Sequence, residues 1–157
     1  MSLQQILVQM ADEKWTTAAL TVAIEKAGQS GGEIALVEFL PADALNWHGL
    51  EASEYEYSES EREEIQKFQR MAREAGVKLT LHCYKTDSLE GTIVRAADTL
   101  QADTVFATVP HSALPFLHDR PIKHLSHVLE EHHHHLFTVD QPAVTSGWKP
   151  EAHEVHE

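Results

Sequence analysis

Two groups of side chains in the last third of this chain have the types and spacing for chemistry. His124, His127 and Glu131 recur on one face of a helical stretch, opposite Ile122, Leu125 and Leu129, so their side chains could converge on a divalent ion. Imidazole and carboxylate suit zinc, nickel or copper, and such an ion would compete with protons. His134 could join them if the helix extends that far. The run His132–His135 leads into apolar residues of the fold, so it is part of the domain and not a purification tag. Successive residues of an extended segment point in opposite directions, so its four rings need not form one site. The same residues also read as a solvated, acid-flanked histidine patch, and both readings stand.

The second feature is the segment Val109–Pro121, which contains three prolines and no glycine. A glycine-rich turn holds phosphate by bringing backbone N–H groups close to it, and proline removes both donors and freedom. An altered anion site remains available to His111, Ser112, Arg120 and Lys123, around the start of the last helix, where free N–H groups and the helix dipole favour negative charge. Arg120 and Lys123 also read as solvated residues offsetting local acid. Asp12, His111 and Ser112 could meet, but no nucleophile elbow, triad order or carboxylate pair in a recognisable setting accompanies them. The chain is expected to be non-enzymatic.

The elements that must position these residues are regular. Gln5–Met10 is a short apolar run suited to a strand buried on both faces, and Asp12 offers an N-cap to a helix ending at Gly31 and Gly32. Glu33–Leu40 is the second strand. A loop over 41–57, with Trp47, His48 and Tyr55, precedes an amphipathic helix from Ser58 to Gly76. Val77–Tyr84, Thr104–Thr108 and His135–Val139 are the remaining strands. Asp87–Glu90 resembles a capping box for the helix between the first two of these, and Pro121 fits the first position of the last helix. Strands alternating with helices predict an α/β domain over residues 1–140: a five-stranded parallel sheet, order 3-2-1-4-5, with helices on both faces. Ligands of such sheets bind beyond the carboxyl ends of the strands, which places Ala11, Asp12, Leu40, Thr108 and His111 on the expected rim. Residues 141–157 are polar and are expected to form a mobile tail.

Composition narrows the partners. A formal charge of -13 with no Lys/Arg cluster argues against nucleic acid. No apolar stretch approaches the ~20 residues needed to span a bilayer, so membrane insertion is not expected and the cytoplasm is the expected location. The single cysteine, Cys83, excludes an internal disulfide and reads as a buried, inert thiol. Twelve histidines could erase much of the negative charge between about pH 7 and pH 5.5, which leaves a pH-responsive module open.

The order of elements, with Ile6–Met10, Gly91–Ala97, Ala102–Phe106 and His135–Val139, resembles the universal stress protein (UspA-like) family over roughly residues 4 to 140. The resemblance implies a flavodoxin-like or Rossmann-like sheet of the adenine nucleotide alpha hydrolase-like type. It also implies a stress-response or regulatory role, and homodimers paired through the last strand, here Leu136–Val139. ATP-binding members carry an Asp at the end of the first strand and a Gly-x2-Gly-x9-Gly-Ser/Thr motif after the fourth. Those positions fall on Ala11, with Asp12 beside it, and on Thr108, His111, Pro121 and Ile122. The resemblance therefore implies a regulatory binding protein with a degenerate nucleotide site. ATP or AMP bound through an atypical phosphate loop, a histidine-borne zinc or other divalent metal, and an accessory role beside a membrane transporter are the alternatives.

Overall fold

The computed structural model describes residues 4–41, 57–140 and 150–156. Most of the expected 41–57 loop, including Trp47, His48 and Tyr55, and residues 141–149 lie outside the described residues. Six strands form one mixed sheet: β1 (Gln5–Met10), β2 (Glu33–Pro41), β3 (Leu79–Thr86), β4 (Thr104–Phe106), β5 (His135–Val139) and β6 (Ala152–Glu154). Their order is β3-β2-β1-β4-β5-β6. The first five strands are parallel, in the expected order, with Val8 opposite both Leu36 and Phe106, and Phe106 opposite Phe137.

The alternation along the strands decides which helix covers which face. Ile6, Val8, Ile34, Leu36 and Phe106 turn to one side, where Trp15, Ala19, Leu20 and Ala23 of α1 (Glu13–Ser30) and Phe68 of α2 (Glu59–Glu74) bury them. Leu7, Ala35, Val37, Val105 and Leu136 turn to the other, against Ile93, Ala96 and Ala97 of α3 (Leu89–Leu100) and Leu125 and Leu129 of α4 (Arg120–Glu131). Strands buried on both faces carry continuous apolar runs, here Ile6–Val8 and Ile34–Val37, which is why the sequence reveals them. Alanines on α1 and α3 let those helices lie close to the sheet.

Local signals set the helix ends. Asp12 caps α1 by accepting from Trp15 N (3.0 Å), and Gly31 closes it at φ 73°, a left-handed conformation that glycine adopts without a Cβ penalty. Ser58 and Glu61 form a reciprocal capping box on α2, with both bonds at 3.1 Å. The cap of α3 is Ser88, accepting from Gly91 N, one residue beyond the expected Asp87. Helix α4 begins one residue earlier than expected, so Pro121 is its second residue. It ends at Glu131, and His133 takes φ 69° to turn the chain into β5.

One difference alters the edge of the sheet. The polar stretch expected to be mobile from residue 141 contains β6, which runs antiparallel to β5 with Phe137 opposite Glu154, Thr138 opposite His153 and Val139 opposite Ala152. Val155 N–H donates to Leu136 O (3.0 Å), and the hydroxyl of the buried Ser126 donates to Val155 O. The backbone edge of Leu136–Val139, expected to be open to a second copy, is therefore occupied within the chain. An unpaired strand edge holds donors and acceptors in register, and a short polar strand can satisfy them without any apolar run.

Candidate functional site

The carboxyl ends of β4 and β5, beside the point between β1 and β4 where the strand order reverses, open into a cavity of about 460 Å³. Its walls are Trp15 of α1; Thr108, Val109 and His111 beyond β4; Asp119 and Ile122 at the start of α4; and Thr138, Val139 and Asp140 at the end of β5. Thr108 and His111 thus sit where the sequence placed them. Ala11 and Asp12 are committed to the start of α1: Ala11 N–H donates to Thr16 Oγ1 (2.9 Å) and the Asp12 carboxylate caps the helix. Leu40 is buried on β2 and is not among the lining residues.

The segment after β4 uses four of its amides internally. Thr108 N–H donates to Gln9 Oε1 (2.8 Å), Ser112 N–H to His118 O (3.3 Å), Leu114 N–H to Ser112 Oγ (3.2 Å) and Leu117 N–H to Leu114 O (3.0 Å). A phosphate cradle needs such groups unpaired and convergent. The cavity wall instead carries two carboxylates, Asp119 and Asp140, the second paired with His153 Nε2 of β6 at 2.9 Å. Arg120, Lys123 and His124 line a separate depression of about 430 Å³ with Pro115, the highly exposed Phe116, and Leu117. Negative charge lines the cleft while the cations of the expected anion site stand in the depression beside it.

The expected metal set divides. His127 Nε2 and Glu131 Oε1 pair at 2.9 Å across one helical turn. His124 lines the neighbouring depression and a groove beside Ser88, Gly91 and Val94 of α3; it does not complete a three-ligand group among the described residues. His134 is buried and held elsewhere, with Nε2 at 2.7 Å from Asp98 Oδ1 and Nδ1 against Ala102 O. His132 Nδ1 meets the same Asp98 carboxylate at 2.9 Å, and hydrogen bonding to His134 foremost holds Asp98 below its usual range. These histidines tie α3 to the start of β5, a structural task that four consecutive histidines gave no reason to expect.

The structure brings together a different trio that spacing alone did not suggest. His111, His118 and Asp119 offer ligand atoms within 4.8 Å of one another. The hydrogen bond from Ser112 to His118 folds the loop back and closes this group, so its signal lies in the turn and not in a residue period.

A second cluster of titratable groups lies on the other half of the sheet. Glu38 on β2 is opposite Cys83 on β3, with one carboxylate oxygen, Oε2, buried and without a hydrogen-bond partner among the described residues. Burial, then the nearby Glu61, pushes the Glu38 carboxyl up from 4.5 to about 7. Burial likewise pushes the Cys83 thiol up to about 11, keeping it protonated and unreactive at neutral pH. Because the fold prefers the protonated Glu38, its stabilising contribution is full below pH 4.5 and is lost as pH rises through about 7. Glu38→Gln is expected to raise the thermal midpoint at pH 8 by about 2–4 °C, taking about 1 kcal/mol after allowance for partial solvent screening. The gain should vanish near pH 4.5; equal gains at both pH values in differential scanning fluorimetry would refute the assignment.

Together, the reversal of strand order and the cleft beside it define a doubly wound α/β domain. Among solved structures, the fold is that of the universal stress proteins. One, in complex with cAMP, matches with a TM-score of 0.51 and 13% identity over 83% of this chain and 90% of its own. A universal stress protein from Archaeoglobus fulgidus gives 0.53 and 14%, covering 80% of this chain and 39% of that longer one. UspA from Lactobacillus plantarum gives 0.51 and 13%, over 73% and 84%. No protein-family model matches the sequence, and neither does any curated protein sequence. No helix among the described residues is long and apolar enough to cross a membrane.

Proposed function

We propose that the protein is a non-catalytic regulatory binding protein of the universal stress type whose nucleotide site has degenerated. The observation that carries this reading is the internal use of the amides of Thr108, Ser112, Leu114 and Leu117, which leaves those four N–H groups committed within the fold. The carboxylates of Asp119 and Asp140 in the cleft add repulsion toward an anion. Among the described residues lining the cleft, neither Thr108 nor Thr138 has its hydroxyl hydrogen-bonded to His111, which supports a binding role over a catalytic one. Its output would pass through a protein partner that reads the occupancy of the cleft.

The cAMP-bound neighbour makes adenine nucleotides the appropriate challenge. Calorimetric titration of untagged protein with ATP, AMP and cAMP is expected to give no saturable heat, and mass spectrometry of denatured protein to release no stoichiometric nucleotide. Saturable binding near one equivalent would overturn the reading and would mean that side chains hold the phosphate in place of the backbone.

A further inference from the structure

We propose that His111, His118 and Asp119 form a binding site for one divalent transition-metal ion of the zinc class at the mouth of the cleft. The three residues offer two imidazole nitrogens and one carboxylate oxygen, all within 4.8 Å of one another. Ligands around a single zinc ion stand about 3.3 Å apart, given bond lengths of ~2.0–2.1 Å in a tetrahedral arrangement. Small rotamer changes of these exposed side chains close the difference.

Three features of the backbone and side chains prepare the site. The Ser112 N–H to His118 O bond joins the two ends of the loop that carries both histidines and holds their ring centroids 3.8 Å apart; the rings are stacked with planes 10° apart, so one turns about its side-chain torsions to bring both in-plane lone pairs onto a single ion. The backbone of Asp119 is fixed by its place before α4, where its carbonyl accepts from Lys123 N–H (3.1 Å). Its carboxylate makes no capping bond to the helix; instead Oδ1 lies 3.0 Å from His118 Nδ1. Two imidazoles and one carboxylate fill three positions around an ion that takes four. His111 and Asp119 also line the 460 Å³ cavity, so the remaining position is available on the cleft side. Trp15, which lines the same cavity, keeps its indole N–H buried without an acceptor among the described residues.

The choice of ion follows from the donors. Imidazole nitrogen suits zinc, copper, nickel and iron, whereas magnesium and calcium require an oxygen shell that this group does not provide. The other three-residue group among the described residues, Glu130, His135 and Glu154, has one imidazole and two carboxylates, with His135 Nδ1 3.7 Å from Glu154 Oε1. Its softer-donor count is lower, which makes it the internal control.

The site does not depend on the fate of the nucleotide reading: ATP heat would overturn that reading and leave the metal site standing. The test is zinc titration of the untagged full chain at pH 7 against a chromophoric chelator, followed by substitution of cobalt. The wild-type protein is expected to bind one equivalent tightly and to show cobalt d–d absorption with nitrogen–oxygen ligation. His111→Ala with His118→Ala should weaken this binding about 100-fold or more while circular dichroism stays unchanged. Asp119→Asn should weaken it less, and His135→Ala with Glu154→Gln should leave it intact. Retention of the tight equivalent in the first variant, loss in the last, or no tight equivalent in the wild-type protein would each overturn the proposal.

Discussion

Phe106→Ala is expected to lower the unfolding free energy by about 3–5 kcal/mol, a large part of the ~5–15 kcal/mol that a domain of this size possesses. Phe106 ends β4, the short strand between β1 and β5, and is fully buried. It stacks on Phe137 with centroids 5.6 Å apart and planes at 24°, within the core covered by α1. Truncation removes the transfer free energy of the ring and leaves a cavity between two strands. Those strands meet over only three register pairs. Neighbouring side chains are held by parallel backbone ladders and cannot collapse into that space, so the cavity persists. Urea unfolding should show a large fall in the transition midpoint at unchanged slope. A loss below about 1 kcal/mol would mean that Phe106 does not anchor the two halves of the sheet.

The same property that makes Phe106 costly to remove made much of the fold readable. Strands β1, β2 and β4 carry uninterrupted apolar runs buried on both faces, Ile6–Val8, Ile34–Val37 and Val105–Phe106, and the helices between them carry caps at Asp12 and Ser58 and a glycine stop at Gly31. Strand β6 has none of these marks. Ala152, His153 and Glu154 form an exposed edge whose contribution is backbone pairing, and backbone pairing leaves no pattern of side-chain types. The cleft was legible as a place, through Thr108 and His111, because topology fixes where strand ends gather. Its chemistry was less so. His118 and Asp119 join His111 through a loop closed by one backbone bond, and His134 is drawn inward by Ala102 O and Asp98, residues more than thirty positions away. The helical period that grouped His124 with His127 and Glu131 describes only neighbours on one surface; His127 and Glu131 pair with each other, while His124 lines the grooves on either side of it.

Deletion of residues 150–157 is expected to convert the protein from monomer to dimer. In β5, Phe137 O accepts from Ala107 N–H, so Phe137 turns its backbone groups toward β4. Leu136 and Thr138, one residue to either side, turn theirs outward, and Leu136 O accepts from Val155 N–H. Without β6, the outward groups of Leu136 and Thr138 form an open edge flanked by the apolar Leu136, Phe137 and Val139. A second copy related by a two-fold axis can pair with such an edge antiparallel, replacing the lost ladder with an identical one. In sedimentation velocity the wild-type chain should run as a monomer and the truncated chain at about twice the mass. Thr138→Pro in the truncated chain removes the outward N–H and should restore the monomer, separating edge pairing from association of a poorly folded variant. A truncated chain that remains monomeric, or a wild-type chain that is already dimeric and unaffected by the deletion, would show that β6 does not guard this edge. The deletion also removes His153 from Asp140, releasing a carboxylate into the cleft. The strand that closes the sheet therefore also contributes to the charge of the ligand cavity.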